Sequence, residues 1–269
     1  MNLLATIKDL IQFRTETGNL SEIDKCMFYC QQLFENSGAH VDICRYEGVS
    51  PVLFIRNQNV SDFDVIVLGH LDVVPAADDM FRPYLKDGKM YGRGTLDMKS
   101  FAAVAFNSMF HVLENNLNLK FGIILSSDEE KGSASTHAFM AAHPEIKAKI
   151  VLDNDVGGDI LKIVSKCKNP VFVKIIADGL EAHGSTPWDG IDANEKLMMT
   201  CANIRKIYPY YSKELPEPEN KWQDTVHFAT LKGGEVSNII SNHAEALCDF
   251  RLTENSTVDD LRKNLDQWM

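Results

Sequence analysis

The first two-thirds of the chain alternate between amphipathic segments of helical period and short apolar segments typical of strands. Helices are predicted at residues 1–13, 21–37, 97–114 and 133–142. Strands are predicted at residues 41–46, 52–56, 64–68, 120–126 and 149–152. Ser21 is placed to cap the second helix. This order predicts an α/β domain in which helices cover both faces of a mainly parallel sheet.

The order of elements changes near Lys168. The remaining pattern predicts a strand, a helix, two strands and a final helix, at residues 171–177, 192–208, 225–232, 244–252 and 257–268. A β-α-β-β-α order is one strand short of a ferredoxin-like unit. We therefore predict one domain over residues 1–168 and a smaller α+β domain over residues 169–269.

Composition narrows the classes of function. Hydrophobic residues make up 45% and charged residues 24% of the 269 positions, as in ordinary soluble proteins. The formal net charge of −11 argues against a nucleic-acid partner, which requires a basic face. Apolar runs of membrane-spanning length and a secretory signal are both lacking. The six scattered cysteines form no CxxC pair, which favours reduced thiols and a cytoplasmic location.

Residues able to bind metal follow the predicted strands. His70 and Asp72 end the apolar run that begins at Val65 and, being two residues apart on an extended backbone, point to one face. In this arrangement His70 would bind a metal ion, while Asp72 would accept the hydrogen bond of the other ring nitrogen. The H-x-D pattern is common, so by itself it is a weak indication.

Asp97 follows Gly92 and Gly94 at the start of the third predicted helix. A carboxylate has two oxygens and can bridge two cations. The structural alternative is a helix cap, because an anion is also favoured at a helix N-terminus. The motif alone does not separate these two interpretations.

Two further acidic clusters follow strands. Asp128, Glu129 and Glu130 are adjacent, so their charges repel unless cations or protons intervene. Asp153 and Asp155 follow the strand at residues 149–152. Each cluster alone is typical of a solvated loop. Together they indicate a metal site, because ligands bind beyond the carboxyl ends of the strands in such sheets.

Three of these segments resemble the signature sequences of a metallopeptidase family, namely GHLDVVP (69–75), GRGTLDMK (92–99) and SSDEEKGS (126–133). The family includes acetylornithine deacetylase, succinyl-diaminopimelate desuccinylase, aminoacylase, carboxypeptidase G and bacterial dipeptidases. In the second domain, GLEAHGSTP (179–187) and GGEVSNII (233–240) are similar to the family's lid motifs. The resemblance implies a zinc-peptidase-like catalytic domain and a ferredoxin-like lid domain that forms homodimers.

The resemblance also implies a ligand set for one or two Zn²⁺ ions, with Co²⁺ or Mn²⁺ as alternatives. One ion would be held by His70, Asp97 and Asp153, with Asp155 as the less favoured alternative to Asp153. Asp97 would bridge to a second ion held by Glu130. The family often has a cis peptide bond after the bridging aspartate, here between Asp97 and Met98.

Catalytic roles follow from the same resemblance. Glu129 would be the general base, and Asp72 would stand behind the ligand His70. His183 would stabilise the oxyanion of the substrate, and Asn238 and Arg251 would bind substrate. The implied reaction is hydrolysis of an amide bond in a small N-acyl amino acid or a short peptide by a metal-activated water.

Family members continue beyond the lid, and their continuation carries a further metal-binding histidine. On this basis the catalytic domain is expected to lack its carboxy-terminal return, and the lid its last strand. An alternative hypothesis is therefore a catalytically silent fragment with a dimerising lid. Substrate and metal identity are not specified by the motifs.

Overall fold

A computed structural model of the chain describes residues 1–155 and 162–268. The helices are α1 (Leu3–Gln12), α2 (Leu20–Leu33), α3 (Lys99–Glu114), α4 (Ala134–Ala142), α5 (Ala193–Ile207) and α6 (Val258–Asp266). The strands are β1 (His40–Cys44), β2 (Val52–Arg56), β3 (Asp62–His70), β4 (Tyr84–Lys86), β5 (Lys89–Tyr91), β6 (Phe121–Ser126), β7 (Lys147–Asp153), β8 (Asn169–Asp178), β9 (Thr225–Gly233) and β10 (His243–Leu252). None of the described helices combines the length and apolar composition needed to cross a bilayer.

The chain divides into two compact units, Met1–Lys162 and Ile163–Met269. In the first unit five strands form one sheet in the order β1-β2-β6-β3-β7. Strands β6, β3 and β7 are parallel, whereas β2 is antiparallel to both of its neighbours. The α/β fold is confirmed, but the sheet is mixed at one side. The connection between β1 and β2 is too short for a crossover, which needs about a dozen residues, so these strands pair antiparallel.

Helices cover both faces of this sheet. On one face α1, α2 and α3 pack against Ile55 and Leu125. On the other face Phe139 of α4 contacts the ring of Phe54. Ile55 and Phe54 are adjacent in β2 and enter opposite layers, because successive strand residues point to opposite faces.

The parallel strands place their carboxyl ends at one edge of the sheet. His70 ends β3 and lies opposite Ser126, the last residue of β6. Asp153 ends β7, which pairs with β3 at the margin of the sheet. Three consecutive apolar residues of β7 are about half exposed, Ile150, Val151 and Leu152. The segments that carry three of the four predicted metal ligands, His70, Glu130 and Asp153, therefore start from adjacent strands.

The second unit has the predicted order β-α-β-β-α. Its three strands form an antiparallel sheet in the order β8-β10-β9. Leu197 of α5 and Leu261 of α6 pack with Phe250 in one core on a single face of the sheet. The predicted domain boundary at residue 168 lies just before β8.

Several local predictions differ from the structure. Helix α2 begins at Leu20, and its N-cap is Asn19 rather than Ser21, without a side-chain cap. Helix α3 begins at Lys99, so Asp97 lies in the preceding loop. The hairpin of β4 and β5 was not predicted, although its two-residue Asp87-Gly88 turn has positive φ at both positions and is a strong hairpin signal.

Candidate metal centre

His70 is the buried centre of the site, with a side chain 1% exposed. Its Nδ1 lies 2.9 Å from the backbone oxygen of Asp72 and 3.3 Å from the Oδ1 atom of the same residue. Both are acceptors, so Nδ1 carries the proton in the neutral ring. The unprotonated Nε2 then directs its lone pair to the opposite side, as a metal-binding imidazole does.

Carboxylates surround Nε2 of His70. The nearest is Oδ1 of Asp97 at 3.0 Å, followed by Oδ2 of Asp155 at 3.6 Å and Oε2 of Glu129 at 3.9 Å. His70, Asp97 and Asp155 each offer one ligand atom, and these three atoms lie within 4.8 Å of one another. One imidazole and two carboxylates, with room for water, form an arrangement suited to a catalytic divalent metal.

In the structure Asp155, rather than Asp153, belongs to this metal-binding group. Asp153 is still part of β7, and its Oδ1 accepts the backbone N–H of Asp155 at 2.9 Å. Both aspartates line a cavity of about 130 Å³ beside His70. Asp153 therefore holds the segment that carries Asp155, and the sequence preference for Asp153 as ligand does not match this geometry.

Glu129 and Glu130 lie on a short 3₁₀ turn, Glu129–Lys131, directly after β6. Burial, together with the charges of Asp155 and Glu130, raises the pKa of Glu129 above its ordinary value. Burial and the charge of Asp97 raise the pKa of Glu130 in the same way. The side chain of Glu129 is 40% exposed, so it borders both the metal-binding group and solvent.

Asp72 is fully buried behind the imidazole. Burial alone would raise the pKa of this carboxyl, but hydrogen bonds from His70 and Thr17 outweigh it and lower the pKa. The backbone N–H groups of Glu129 and Glu130 also donate to the carboxylate, at 3.1 and 3.3 Å. One carboxylate thus connects the imidazole to the turn that bears the candidate base.

The charges at the site favour a cation. Burial lowers the pKa of His70, yet hydrogen bonding to Asp72 and the charge of Asp155 outweigh it and raise the pKa to about 9. Burial and the charge of Asp97 raise the pKa of Asp155. Acids that raise one another's pKa beside this ring are stabilised by a positive charge, either a proton on the imidazole or a metal ion in its place. The mixed nitrogen and oxygen donors suit Zn²⁺, Co²⁺ or Mn²⁺.

The loop before α3 brings Asp97 to the cluster. Its peptide bond to Met98 is cis, as the family resemblance predicted. Met98 is buried, and its sulfur lies 3.3 Å from the backbone nitrogen of His70. The next residue, Lys99, is also buried, and its Nζ donates to the backbone oxygens of Leu10 and Phe13 at 2.9 and 2.7 Å. These contacts tie the Asp97 loop to α1 and to the end of β3.

In the second unit the two predicted lid motifs are adjacent. The N–H of Gly184 donates to the backbone oxygen of Asn238 at 2.8 Å, and His183 forms an isolated bridge with Ile239. The side chain of His183 is exposed and lies 2.8 Å from the hydroxyl of Ser185. A cleft of about 540 Å³ adjoins the second of these motifs.

Arg251 lies away from these loops within the second unit. It pairs with Thr225 near one end of β10, whereas His243, the residue nearest the lid motifs, begins the strand. The two residues are eight apart, or roughly 26 Å along an extended strand. Arg251 forms a salt bridge with Asp249 instead.

Thr17 is a further site residue that the sequence did not indicate. Its hydroxyl donates to Oδ2 of Asp72 at 2.7 Å. A lone threonine after an amphipathic helix carries no recognisable signal of such a role, because the contact joins segments far apart in the chain.

Several known proteins are similar in sequence to this chain. A probable carboxypeptidase of Aspergillus clavatus is 24% identical over 93% of this chain and 62% of its own length. A succinyl-diaminopimelate desuccinylase of Corynebacterium glutamicum is 28% identical over 73% of this chain and 53% of its own length. The chain thus spans little more than half the length of the relatives that it matches.

A solved structure shares the fold. An M20 family metallo-carboxypeptidase from Sulfolobus solfataricus matches 100% of this chain with a TM-score of 0.80, at 16% sequence identity, and this chain covers 75% of it. Residues 66–259, which include all five motifs, match the sequence profile of peptidase family M20/M25/M40. The chain therefore belongs to peptidase family M20/M25/M40.

Proposed function

We propose that this protein hydrolyses an amide bond in a small N-acyl amino acid or a short peptide, with a divalent metal ion at the His70 site. The observation that carries the proposal is the buried imidazole whose Nε2 faces two carboxylates, with Glu129 3.9 Å away. The relatives named carboxypeptidase and desuccinylase both cleave such bonds, which supports this class of reaction.

The proposed ligands of the first ion are His70, Asp97 and Asp155. Asp97, together with Glu130, would hold a second ion when one binds. A divalent cation in this position supplies Lewis acidity, which lowers the pKa of a water molecule and polarises a carbonyl. Zn²⁺ is the proposed ion, and the donor set also admits Co²⁺ or Mn²⁺.

Glu129 is the proposed general base. Its carboxylate would take a proton from the attacking water and deliver it to the leaving nitrogen. A raised pKa suits this task, because the group must accept a proton and later release it near neutral pH. Asp72 would keep the His70 ring oriented throughout and has no proton to transfer.

The second unit is proposed to contribute substrate contacts in a homodimer located in the cytoplasm. His183 would stabilise the oxyanion of the substrate, and Asn238 and Arg251 would bind its polar groups. The adjacency of the His183 and Asn238 loops supports a shared role for these two residues. Arg251 would act separately, because it lies at the other end of β10.

The test is turnover by the Glu129→Gln variant. The chain loaded with Zn²⁺, Co²⁺ or Mn²⁺ is assayed against a panel of N-acyl amino acids and dipeptides. We expect Glu129→Gln to reduce kcat by about 10²- to 10⁴-fold, because a general base contributes that much. Metal content, measured by mass spectrometry, should stay at the wild-type level.

The matched control is Glu114→Gln, which makes the same change at an exposed position at the end of α3. It should leave both turnover and metal content unchanged. Retained turnover in Glu129→Gln would reject Glu129 as the base. A wild-type chain that binds metal but hydrolyses no member of the panel would reject the proposed reaction.

A further inference from the structure

We propose that Thr17 is a positioning residue of the metal site, acting through Asp72; this inference rests on the proposed function. Its hydroxyl donates to Oδ2 of Asp72 at 2.7 Å. Asp72 is fully buried behind the ring of His70, and its carboxylate holds the ring together with its backbone oxygen, which lies 2.9 Å from Nδ1.

The Thr17 contact is the shortest of four polar contacts to this carboxylate. Oδ1 lies 3.3 Å from Nδ1 of His70 and accepts the N–H of Glu129 at 3.1 Å. Oδ2 accepts the N–H of Glu130 at 3.3 Å and the Thr17 hydroxyl. Without the hydroxyl, Oδ2 keeps only the longer of the two hydrogen bonds from backbone N–H groups, so the carboxylate is held less firmly.

The backbone holds Thr17 independently of its side chain. Its N–H donates to the backbone oxygen of Val73 at 3.2 Å, and the N–H of Val73 donates to the backbone oxygen of Thr15 at 3.0 Å. Glu16 forms a parallel bridge with Val73, and Nζ of Lys131 donates to the backbone oxygen of Thr17. Because these contacts use the main chain, replacing the side chain should leave the segment in place.

Weaker support of this carboxylate affects two parts of the site. The carboxylate of Asp72 supports the imidazole on one side and the Glu129–Lys131 turn on the other. A less firmly held carboxylate would loosen both, although neither Thr17 nor Asp72 belongs to the metal-binding group. Loss of a residue that orients a metal ligand typically costs 10- to 100-fold in metal affinity.

Thr15 provides a matched control. Its side chain is fully buried and two residues away, and its hydroxyl donates to the backbone oxygen of Leu71 at 2.5 Å rather than to a carboxylate. Thr15→Val and Thr17→Val make the same change, because each replaces one hydroxyl with a methyl group and keeps the shape of the side chain. Thr17→Ser keeps the hydroxyl and removes only a methyl group.

The experiment measures Zn²⁺ affinity by competition with a chelator in the absence of substrate. We expect Thr17→Val to bind Zn²⁺ about 10-fold more weakly or worse, Thr17→Ser to return to within about 3-fold of wild type, and Thr15→Val to bind as wild type does. In the metal-free protein, the NMR signal of the Nδ1 proton of His70 should shift or broaden in Thr17→Val only.

Three results would overturn the inference: wild-type affinity in Thr17→Val, equal losses in Thr17→Val and Thr15→Val, or failure of Thr17→Ser to recover. Each of these three results is compatible with intact hydrolysis by the wild-type chain, so none of them contradicts the proposed function. A wild-type chain that binds none of Zn²⁺, Co²⁺ and Mn²⁺ would overturn the proposed function and this inference together.

Discussion

Two histidines of this chain occupy opposite kinds of environment. His70 has a side chain 1% exposed and lies within 4 Å of carboxylates on four separate segments. His183 is exposed on its loop, and its ring lies near the hydroxyl and the N–H of Ser185, two residues further along. The first ring is fixed by the fold, whereas the second is fixed mainly by its own turn.

Under the proposed function, this difference assigns separate roles to the two rings. A fixed, buried ring among acids is prepared for a cation before any ligand arrives. An exposed ring on a turn can adjust to a bound molecule, and it gains its full contacts only then. We therefore expect loss of the His70 ring to change metal binding and loss of the His183 ring to change turnover alone.

The most direct test of this difference between the two histidines is to remove each ring in turn. His70→Ala should weaken Zn²⁺ binding by on the order of 1000-fold, because it removes one of three protein ligands. His183→Ala should leave Zn²⁺ affinity unchanged while reducing kcat. Calorimetric titration measures the affinity, and circular dichroism checks that both variants are folded. Equal Zn²⁺ affinities in the two variants would contradict these separate roles.

The pH dependence of the free energy of unfolding gives a second test of the difference between the two histidines. The pKa of His70 is raised from 6.5 to about 9 in the fold, so its imidazolium stabilises the metal-free protein fully below about pH 6.5. That stabilisation is lost as the pH rises to about 9 and amounts to at most about 3 kcal/mol. Urea unfolding in the presence of a chelator, at intervals from pH 6 to pH 9, measures the loss.

The same series has internal controls. The loss should disappear in His70→Gln and persist in His183→Ala. Saturating Zn²⁺ should also remove it, because the metal replaces the proton as the positive charge among the acids. A pH profile that is identical in wild type and His70→Gln would contradict the assignment of the stabilisation to this ring.

A smaller effect separates the two aspartates at the end of β7, Asp153 and Asp155. Asp155→Asn should reduce Zn²⁺ affinity by about 10- to 100-fold, because it removes a charge from the metal-binding group. Asp153→Asn should change it by less than about 3-fold, since an amide oxygen can still accept the N–H of residue 155. A larger loss of Zn²⁺ affinity in Asp153→Asn than in Asp155→Asn would instead support Asp153 as the ligand, as the sequence predicted.

Much of the first unit follows from local pattern. Strand β2 matches its predicted bounds, and the buried apolar runs that form β3 and β6 were recognised because they end in polar clusters. The proposed metal-binding role of His70 and Asp97 was predicted from the conjunction of polar clusters at successive strand ends and from the family resemblance, because each motif alone is a weak indication.

What the sequence did not predict depends on contacts between distant segments. The choice between Asp153 and Asp155 depends on where β7 ends and how the chain turns afterwards, and boundaries are the least determined part of a sequence pattern. Thr17 reaches Asp72 across 55 positions. The hairpin at Asp87-Gly88 was missed for another reason, since its turn signal was present but its strands are only three residues each.

The position of β7 sets an order of events for the site under mild denaturation. Within the described residues, β7 pairs only with β3, and its apolar residues 150–152 remain about half exposed on both faces. An edge strand frays before the central strands, so Asp155 would be released while His70 and Asp97 are still in place. Affinity for the cation should therefore decline at denaturant concentrations that leave the rest of the sheet folded, and backbone amides of β7 should exchange with deuterium before those of β3.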